Sequence, residues 1–205
     1  MSSISKTGFS LLAGALIAVT FGFSAHAADQ IRVRGTVESL DGSTLSVKTR
    51  EGTDAKIMLK DGWKISSVAK ASVNDIKEGD FVGIASLPTA DGGNGALEVL
   101  IFPAAMKGTG EGSYAWDLKP NSSMTNATVA NAVKSVDGHT LTVTYKGGEK
   151  KISIPEGTPV VTFAPAEVAD LKSGATVFIP SEKASDGSIS SSRVVVGTNG
   201  VVPPM

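Results

Sequence analysis

The chain has no cysteine and only two histidines, of which one, His139, follows the N-terminal 27 residues. The absence of cysteine excludes disulfides, iron–sulfur clusters, thiol catalysis and thiolate metal sites together. Zinc and copper sites combine several imidazole or thiolate ligands, which a single histidine does not supply. We therefore expect no cofactor and no high-affinity transition-metal site, and we expect the core alone to hold the fold together.

Aromatic residues are also scarce, at 5% of the chain, and the 20 acidic residues nearly balance the 19 basic ones. A near-neutral chain has no electrostatic attraction for nucleic acid or for an anionic membrane. Barrels that bind single-stranded nucleic acid need a basic groove with stacking aromatics, whereas the first strand of this chain offers only Arg32 and Arg34. Nucleic acid is therefore not expected as a partner.

Residues 1–27 have the three-part layout of a secretory signal peptide. Lys6 is the only charged residue before the apolar run Phe9–Phe23, and Ala25-His26-Ala27 places small residues at both ends of an A-x-A cleavage motif. A membrane anchor is the alternative, but a span needs about 20 apolar residues, more than this run contains. We expect cleavage after Ala27, a periplasmic or secreted mature chain, and no stable membrane insertion after cleavage.

What the chain does contain is one pattern written twice. Val37–Val47 reads VESLDGSTLSV, and Val133–Val143, 96 residues later, reads VKSVDGHTLTV. Further matches follow at an offset of 95 residues, and they pair Val73–Gly79 with Val168–Gly174 and Val99–Ile101 with Val194–Val196. Apolar positions match apolar positions and turns match turns, which indicates two copies of one folded unit.

Each copy has the pattern of a small β structure. In the first copy, Ile31, Val33 and Val37 alternate with polar residues, which is the period of a strand. Asp41-Gly42 and Glu51-Gly52 then predict hairpin turns, so the copy begins with a three-stranded meander. The remaining predicted elements are a helical stretch at Ala71–Lys77 with strands at Phe81–Ser86 and Leu97–Phe102 in the first copy, and strands at Thr128–Ser135, Thr140–Tyr145 and Lys150–Ile154, a helical turn at Pro165–Leu171, and strands at Thr176–Ile179 and Ile189–Val196 in the second.

Three strands, a short helix and two more strands is the order of an OB-type barrel. We therefore predict an all-β protein of two tandem OB-like small β-barrels, each with a short helix between strands 3 and 4. A distorted barrel or a two-sheet sandwich fits the same strand count. The predicted divisions are a signal peptide at 1–27, the first barrel at 28–103, a linker or docking segment at 104–126, and the second barrel with a C-terminal tail at 127–205.

The segment between the copies is the candidate functional region. Lys107–Gly112 is rich in glycine, but Tyr114 and Trp116 follow it, and a passive linker seldom carries such large apolar side chains. One interpretation is that these rings pack the two barrels together. The other is that Tyr114, Trp116 and Asp117 form a ligand-binding platform, and these three are the candidate site residues.

The other candidate sites are weak. His139 lies in a predicted turn where the first copy has Ser43, so we interpret it as an exposed turn residue rather than a metal ligand. Asp91, Asn94 and Glu98 offer oxygen atoms for calcium, but they lack the alternating ladder of a calcium-binding loop. A glycine-rich hairpin explains their sequence better, and no metal site is predicted.

Enzymatic activity is likewise not predicted. Ser67-Val-Ala-Lys70 fits the S-x-x-K of serine acyltransferases, but the S-D-N and K-T-G elements of that family do not occur. The single His139 does not support a Ser–His–Asp arrangement. The composition therefore favours a non-enzymatic binding or envelope-interaction protein, with a protein, peptide or glycan of the cell envelope as its partner.

Four stretches of the chain carry a resemblance to a known family. RVRGTVESLDGSTLSVKTREG, DIKEGDFVG, YAWDLKPNSSMTNATV and IPEGTPVV resemble small proteobacterial periplasmic proteins that contain OB-like repeats of unknown function. Such proteins are often labelled as components of a metal ABC transporter. The resemblance covers nearly the whole mature chain and implies the OB-like fold, the periplasmic compartment and, as an alternative function, an accessory role in metal handling or transport.

Overall fold

A computed structural model describes residues 29–135 and 138–204. The predicted leader and Asp137 of the second Asp-Gly turn lie outside these residues. Within them the strands are β1 (Asp29–Asp41), β2 (Thr44–Thr49), β3 (Asp54–Lys70), β4 (Phe81–Pro88), β5 (Asn94–Ile101), β6 (Gly112–Ala115), β7 (Ser123–Ser135), β8 (Gly138–Tyr145), β9 (Gly148–Pro155), β10 (Val160–Ala164), β11 (Thr176–Lys183) and β12 (Ile189–Gly197). Short 3₁₀ turns lie at Val73–Asp75, Ala104–Met106 and Val168–Asp170. The predicted all-β class is confirmed, and the helix predicted between strands 3 and 4 of each copy is a single 3₁₀ turn.

The strands form two five-stranded barrels. In the first barrel, antiparallel neighbours follow the order β11-β1-β2-β3, with β12 beside β11, and the ring closes where β12 pairs in parallel with β3. In the second barrel the order is β5-β4-β7-β8-β9, and the ring closes at the parallel bridge between Gly95 of β5 and Ser153 of β9. β10 continues this closure along β5, and β6 adds to the free edge of β7.

The two barrels do not coincide with the two sequence copies, which corrects the predicted boundaries at 28–103 and 127–205. Each barrel takes three strands from one copy and its last two strands from the other. The length of β3 explains the exchange. Its 17 residues, at about 3.3 Å each, run past the first barrel to Lys70, which pairs with Val161 of the second copy. β4 therefore begins beside the second barrel rather than the first.

A pseudo-twofold axis relates the two barrels. β3 and β10 pair antiparallel across it, and Val68 lies opposite Phe163, its counterpart at the offset of 95 residues. The outer faces of the exchanged strands pack around this axis. The buried residues of this junction are Val68, Leu100, Val161, Phe178 and Val195, and Phe102, Trp116, Phe163 and Val201 pack against them.

Each barrel has its own core, which continues the exchange. The first core combines Val33, Leu45 and Ile57 of the first copy with Ile179 and Val194 of the second. The second core combines strands β7–β9 with Ile84 and Val99 of the first copy. Apolar residues that follow the 3₁₀ turns, Ile76 and Leu171, join the core of the barrel that the next strand enters. Separating the copies would therefore open both cores.

The first hairpin differs between the copies. The repeated Asp-Gly sequence predicts equivalent hairpins with positive φ at Gly42 and Gly138, and both glycines do have positive φ, at 56° and 128°. Gly42 lies in the turn that joins β1 and β2, whereas Gly138 is a strand residue paired with Ser135, so the prediction of equivalent hairpins is wrong. Matched by their partners β11 and β4, the strands β1 and β7 are 92 residues apart. Val37 accordingly pairs with Val47 in the first hairpin, and Val129 pairs with Val143 in the second, which makes the second hairpin four residues longer.

Candidate functional site

The central segment is folded rather than a loose linker. Its strand β6 pairs antiparallel with Ser123–Asn126 of β7. The loop between them is tied by Ser122, whose hydroxyl donates to the carbonyl oxygens of Lys119 and Trp116 and whose own carbonyl accepts from the Trp116 amide at 2.8 Å. Polar residues with short side chains bond to nearby backbone in this way and favour tight turns. The loop thus holds Trp116 in a fixed position.

Trp116 lies between the barrels. Its ring packs on the junction cluster, the guanidinium of Arg32 lies 3.9 Å from the ring centroid, and Tyr114 meets it edge-on at 6.1 Å between centroids. The indole Nε1 is buried without a hydrogen-bond acceptor, beside a cavity of about 50 Å³ lined by Tyr114, Met124 and Pro204. Trp116 is thus half-buried against the junction cluster, and its role in docking the barrels stays a prediction.

Asp117 binds two arginines of β1. Its Oδ1 accepts from Arg34 Nη2 at 2.7 Å, and its Oδ2 accepts from Arg32 Nη1 at 3.4 Å. Partial burial raises the pKa of the Asp117 carboxyl, but the hydrogen bond and charge of Arg34, together with the charge of Arg32, outweigh burial and hold the pKa below its ordinary value. The structure thus brings Tyr114, Trp116 and Asp117 together, with the carboxylate engaged by the first barrel. A ligand-binding role for them stays a prediction.

A wide groove at the mouth of the first barrel was not predicted from the sequence. It encloses about 830 Å³ between the start of β1, the β2–β3 hairpin and the β11–β12 loop. Its floor is apolar, its walls carry hydroxyl groups and its rim carries both signs of charge. The main lining residues are Ile31, Val33, Ala55 and Ile189 on the floor, Thr49, Thr53 and Ser188 on the walls, and Arg32, Glu51, Asp54 and Lys56 on the rim. Small ligand sites are typically apolar clefts with a few polar groups of this kind.

The corresponding mouth of the second barrel is filled. Ala55 pairs with Val47 and Lys150 pairs with the matching Val143, so Lys150 replaces Ala55, and Tyr145 replaces Thr49. Tyr145 packs against the core of the second barrel. The Nζ of Lys150 donates to Ser123 Oγ at 2.8 Å, and burial lowers the pKa of Lys150. Two long side chains thus occupy the space that is open in the first barrel.

The two mouths also differ at a strand edge. β1 pairs with β11 from Asp29 onward, but on its other side β2 reaches only Gly35, with one further bond from the Arg50 amide to the Arg34 carbonyl. Among the described residues, no strand covers that side of residues 29–33. In the second barrel, β6 covers the same side of β7. Within the described part of the chain, the first barrel therefore presents a free strand edge along its groove.

The other sequence candidates have structural roles. The Asp91 carboxylate accepts from the Thr89 hydroxyl and the Gly93 amide and so closes the β4–β5 turn, while Glu98 is buried on β5. The Ser67 hydroxyl donates to the Pro165 carbonyl at 2.8 Å. His139 lies within β8 rather than in a turn, opposite Lys134 and Ile154. These contacts hold the fold together and assemble no reactive group.

The groove could have been inferred from the sequence by one comparison of the copies. Where the second copy has Tyr145 and Lys150, the first has Thr49 and Ala55, and the loss of two long side chains at paired positions signals an opening. The free edge left no such signal, because β6 lies in the segment between the two copies, outside the repeated pattern.

No family model, curated protein or solved structure matches the chain. Across residues 29–135 and 138–204, no helix is long and apolar enough to cross a membrane. In the same residues, no group of three or more histidine, aspartate or glutamate side chains is placed to hold a metal ion.

Proposed function

We propose that this chain is a non-enzymatic binding protein of the periplasm or the extracellular space, and that its ligand site is the groove of the first barrel. The observation that carries the proposal is the difference between two otherwise matched barrels. Tyr145 and Lys150 fill one mouth, and Thr49 and Ala55 leave the other open above an apolar floor. Exposed apolar surface costs free energy in water, so a retained open groove is typical of a binding site.

The predicted platform supports this site indirectly. Arg32 lines the groove and also stacks on Trp116, while Asp117 holds both Arg32 and Arg34. The central segment therefore fixes one rim of the groove and joins the barrels into one body. In this proposal Tyr114, Trp116 and Asp117 position the site, and the ligand contacts the side chains of the groove.

The proposed location, the periplasm or the extracellular space, depends on the signal peptide predicted at residues 1–27. Cleavage after Ala27 would leave Ala28 as the first residue, directly before β1 begins at Asp29. Amino-terminal sequencing of the exported chain tests this. We expect Ala28 as the first residue, and an exported chain that begins at Met1 would contradict it.

The binding role is tested by filling the groove with the chain's own residues. The double variant Thr49→Tyr with Ala55→Lys gives the first barrel the side chains of the second mouth. Tagged wild-type and variant chains are each incubated with a fractionated cell-envelope extract, and the bound material is compared. We expect at least one component to be retained by the wild type and lost from the variant. Equal retention by both chains would overturn the groove as the site.

A matched control comes from the other barrel. Tyr145→Thr with Lys150→Ala changes the same two positions in the second barrel, where β6 still covers the strand edge, and it should leave retention unchanged. The alternative function, metal handling, is tested by calorimetric titration of the chain with Zn²⁺ and Cu²⁺. Sub-micromolar binding would favour that alternative over ours.

A further inference from the structure

We infer that the ligand of the groove is an extended polypeptide segment, which adds to the first barrel as a strand along Asp29–Val33 of β1. This inference rests on the proposed function and specifies the chemistry of its ligand. The chain itself supplies the precedent, because β6 is such a segment and occupies the corresponding edge of the second barrel.

The pairing of β6 defines how the segment would bind. Gly112–Ala115 runs antiparallel to β7, and its four residues face Ser123–Asn126. β4 pairs with β7 as its copy β11 pairs with β1, so residues that lie opposite matched positions of β4 and β11 are counterparts. By this criterion Ser123 is the counterpart of Ile31, and Thr125 is the counterpart of Val33. A segment at the first barrel would therefore run antiparallel to β1 and lie opposite Ile31 and Val33.

The free edge explains why the ligand is a polypeptide. A strand edge presents N–H and C=O groups in a row, and another extended backbone satisfies them with matching spacing. Strand addition of this kind obtains its affinity from backbone hydrogen bonds and its specificity from pockets for alternate side chains. A glycan also carries donors and acceptors, but they do not alternate along its chain at the spacing of a strand backbone.

The groove defines which side chains the segment carries. In β6, Ser113 faces the mouth of the second barrel, where its hydroxyl bonds that of Thr125 at 3.0 Å. In the first barrel the matching position is Val33, and the neighbouring floor residues are Ile31, Ala55 and Ile189. A bound segment would therefore place apolar side chains on alternate residues toward the floor. The mixed charges of the rim, Arg32 and Lys56 with Glu51 and Asp54, impose no single net charge on it.

The probe is a peptide based on β6. It has the sequence of residues 110–116, GEGSYAW, with valine in place of Ser113 and Ala115 so that both groove-facing side chains are apolar. Two N-methylated versions serve as controls, each with methyl groups on alternate amides, so that one version blocks the edge facing β1 and the other blocks the opposite edge. Binding to the full chain is measured by calorimetry and by amide hydrogen exchange.

We expect the unmodified peptide to bind and to protect amides within Asp29–Val33 from exchange. The version methylated on the edge that faces β1 should bind at least about tenfold more weakly than the unmodified peptide. The version methylated on the opposite edge should differ from the unmodified peptide by less than about twofold. The Thr49→Tyr, Ala55→Lys variant should lose the same binding, and Val168→Lys, an exposed residue on a 3₁₀ turn, should keep it.

The opposing outcomes separate this inference from the proposed function. Equal binding of both N-methylated peptides would show that the backbone is not used and would overturn strand addition. No peptide binding, combined with groove-dependent retention of an envelope component, would also overturn it while the binding function stands. Protection of Asp29–Val33 without peptide, accompanied by a dimer in light scattering, would identify a second copy as the occupant and overturn the inference. Equal retention of envelope components by the wild type and the Thr49→Tyr, Ala55→Lys variant would overturn the proposed function itself.

Discussion

The two barrels have the same strand order and nearly the same core, yet one mouth is open and the other is closed. Val33, Leu45 and Ile57 of the first barrel correspond to buried positions of the second, and Leu141 and Ile152 show how closely the sizes agree. Besides the longer β7–β8 hairpin and the shorter closure of the second barrel, the two barrels differ at the mouth and the adjoining edge. Core positions are constrained by packing, whereas mouth positions are free to vary, so divergence between the copies marks where they differ in use.

The strand exchange makes this comparison unusual, because neither barrel belongs to one copy. β11 and β12 of the second copy complete the barrel that carries the groove, and the loop between them forms one wall of it. The open mouth is therefore built by both copies. A change in either half of the sequence reaches the site, and the halves cannot diverge as independent domains.

The largest expected effect comes from separating the copies. Residues 28–103 alone contain β1–β5 but lack β11 and β12, so the first core would lose Val177, Ile179, Val194 and Val196. Because β4 and β5 have the matching apolar positions, we expect two such fragments to exchange strands and form a homodimer. Light scattering measures the mass. A folded monomer of residues 28–103 would show that β4 and β5 return to their own copy and would contradict the role given to β3.

Adding a methyl group to β1 and removing one from β7 should have different effects on the stability of the fold. Gly35 of β1 corresponds to the buried Ala127 of β7, but a Cβ at Gly35 would collide with the Lys48 carbonyl oxygen and lie 2.8 Å from Val47 Cγ1. We expect Gly35→Ala to lower the free energy of unfolding by about 3 kcal/mol and Ala127→Gly by about 1 kcal/mol. Urea denaturation measures both. Equal losses would contradict the asymmetric packing of the two first strands.

Trp116 is the next test, because it packs against the junction cluster between the barrels. Trp116→Ala should cost about 2 to 3 kcal/mol in stability, since it removes the ring from the junction cluster. Trp116→Phe keeps one six-membered ring and removes Nε1, which has no acceptor, with the rest of the five-membered ring, so it should cost about 1 kcal/mol, less than alanine. Chemical denaturation distinguishes the two variants. If alanine leaves stability unchanged, Trp116 does not dock the barrels and the ligand-platform interpretation gains support.

Asp117→Asn should have a smaller and pH-dependent effect. The carboxylate is partly exposed, so the loss at pH 7 should be about 1 kcal/mol. Because the pKa of Asp117 is lower in the folded chain, its contribution is present above the ordinary carboxyl pKa and disappears as the pH falls through the folded value. The stability difference between wild type and variant should therefore shrink in acid. Denaturation curves between about pH 3 and pH 7 measure it, and a difference that grows in acid would contradict the ion pair.

The fold was largely predictable because its determinants are local. Alternating residues in β1 and the Asp41-Gly42 turn specify strands and hairpins whichever copy they join. The exchange was not predictable, since β4 and β11 have interchangeable apolar patterns and either would complete either core. The continuity of β3 through Trp63 to Lys70 carries the chain to the second barrel, and the Asp61-Gly62 pair within β3 has the composition of a turn, so the sequence does not reveal that continuity.

The candidate site was predictable only in part. The aromatic content of Tyr114-Ala-Trp116 singled out the segment that joins the barrels, because large rings are rare in this chain. β6 was missed, since Gly112–Ala115 is short and has no apolar alternation. The groove was missed because an open space has no residue of its own, and it emerges only when Thr49 and Ala55 are compared with the residues that replace them.

The smallest expected effect concerns the residue that closes the second mouth. Burial lowers the pKa of Lys150, so the folded chain holds this proton more weakly than the unfolded chain, and stability should rise as the pH increases from the folded value toward the ordinary one. Lys150→Met keeps most of the length of the side chain and removes the charge. Because Lys150 is only partly buried, the change at pH 7 should be within about 0.5 kcal/mol. Lys56→Met, a charge removed from the rim of the open groove, is the matched control. Thermal denaturation at pH 7 and pH 10 should show a more positive change of stability with pH in wild type and Lys56→Met than in Lys150→Met. The same change in all three chains would contradict the burial of Lys150.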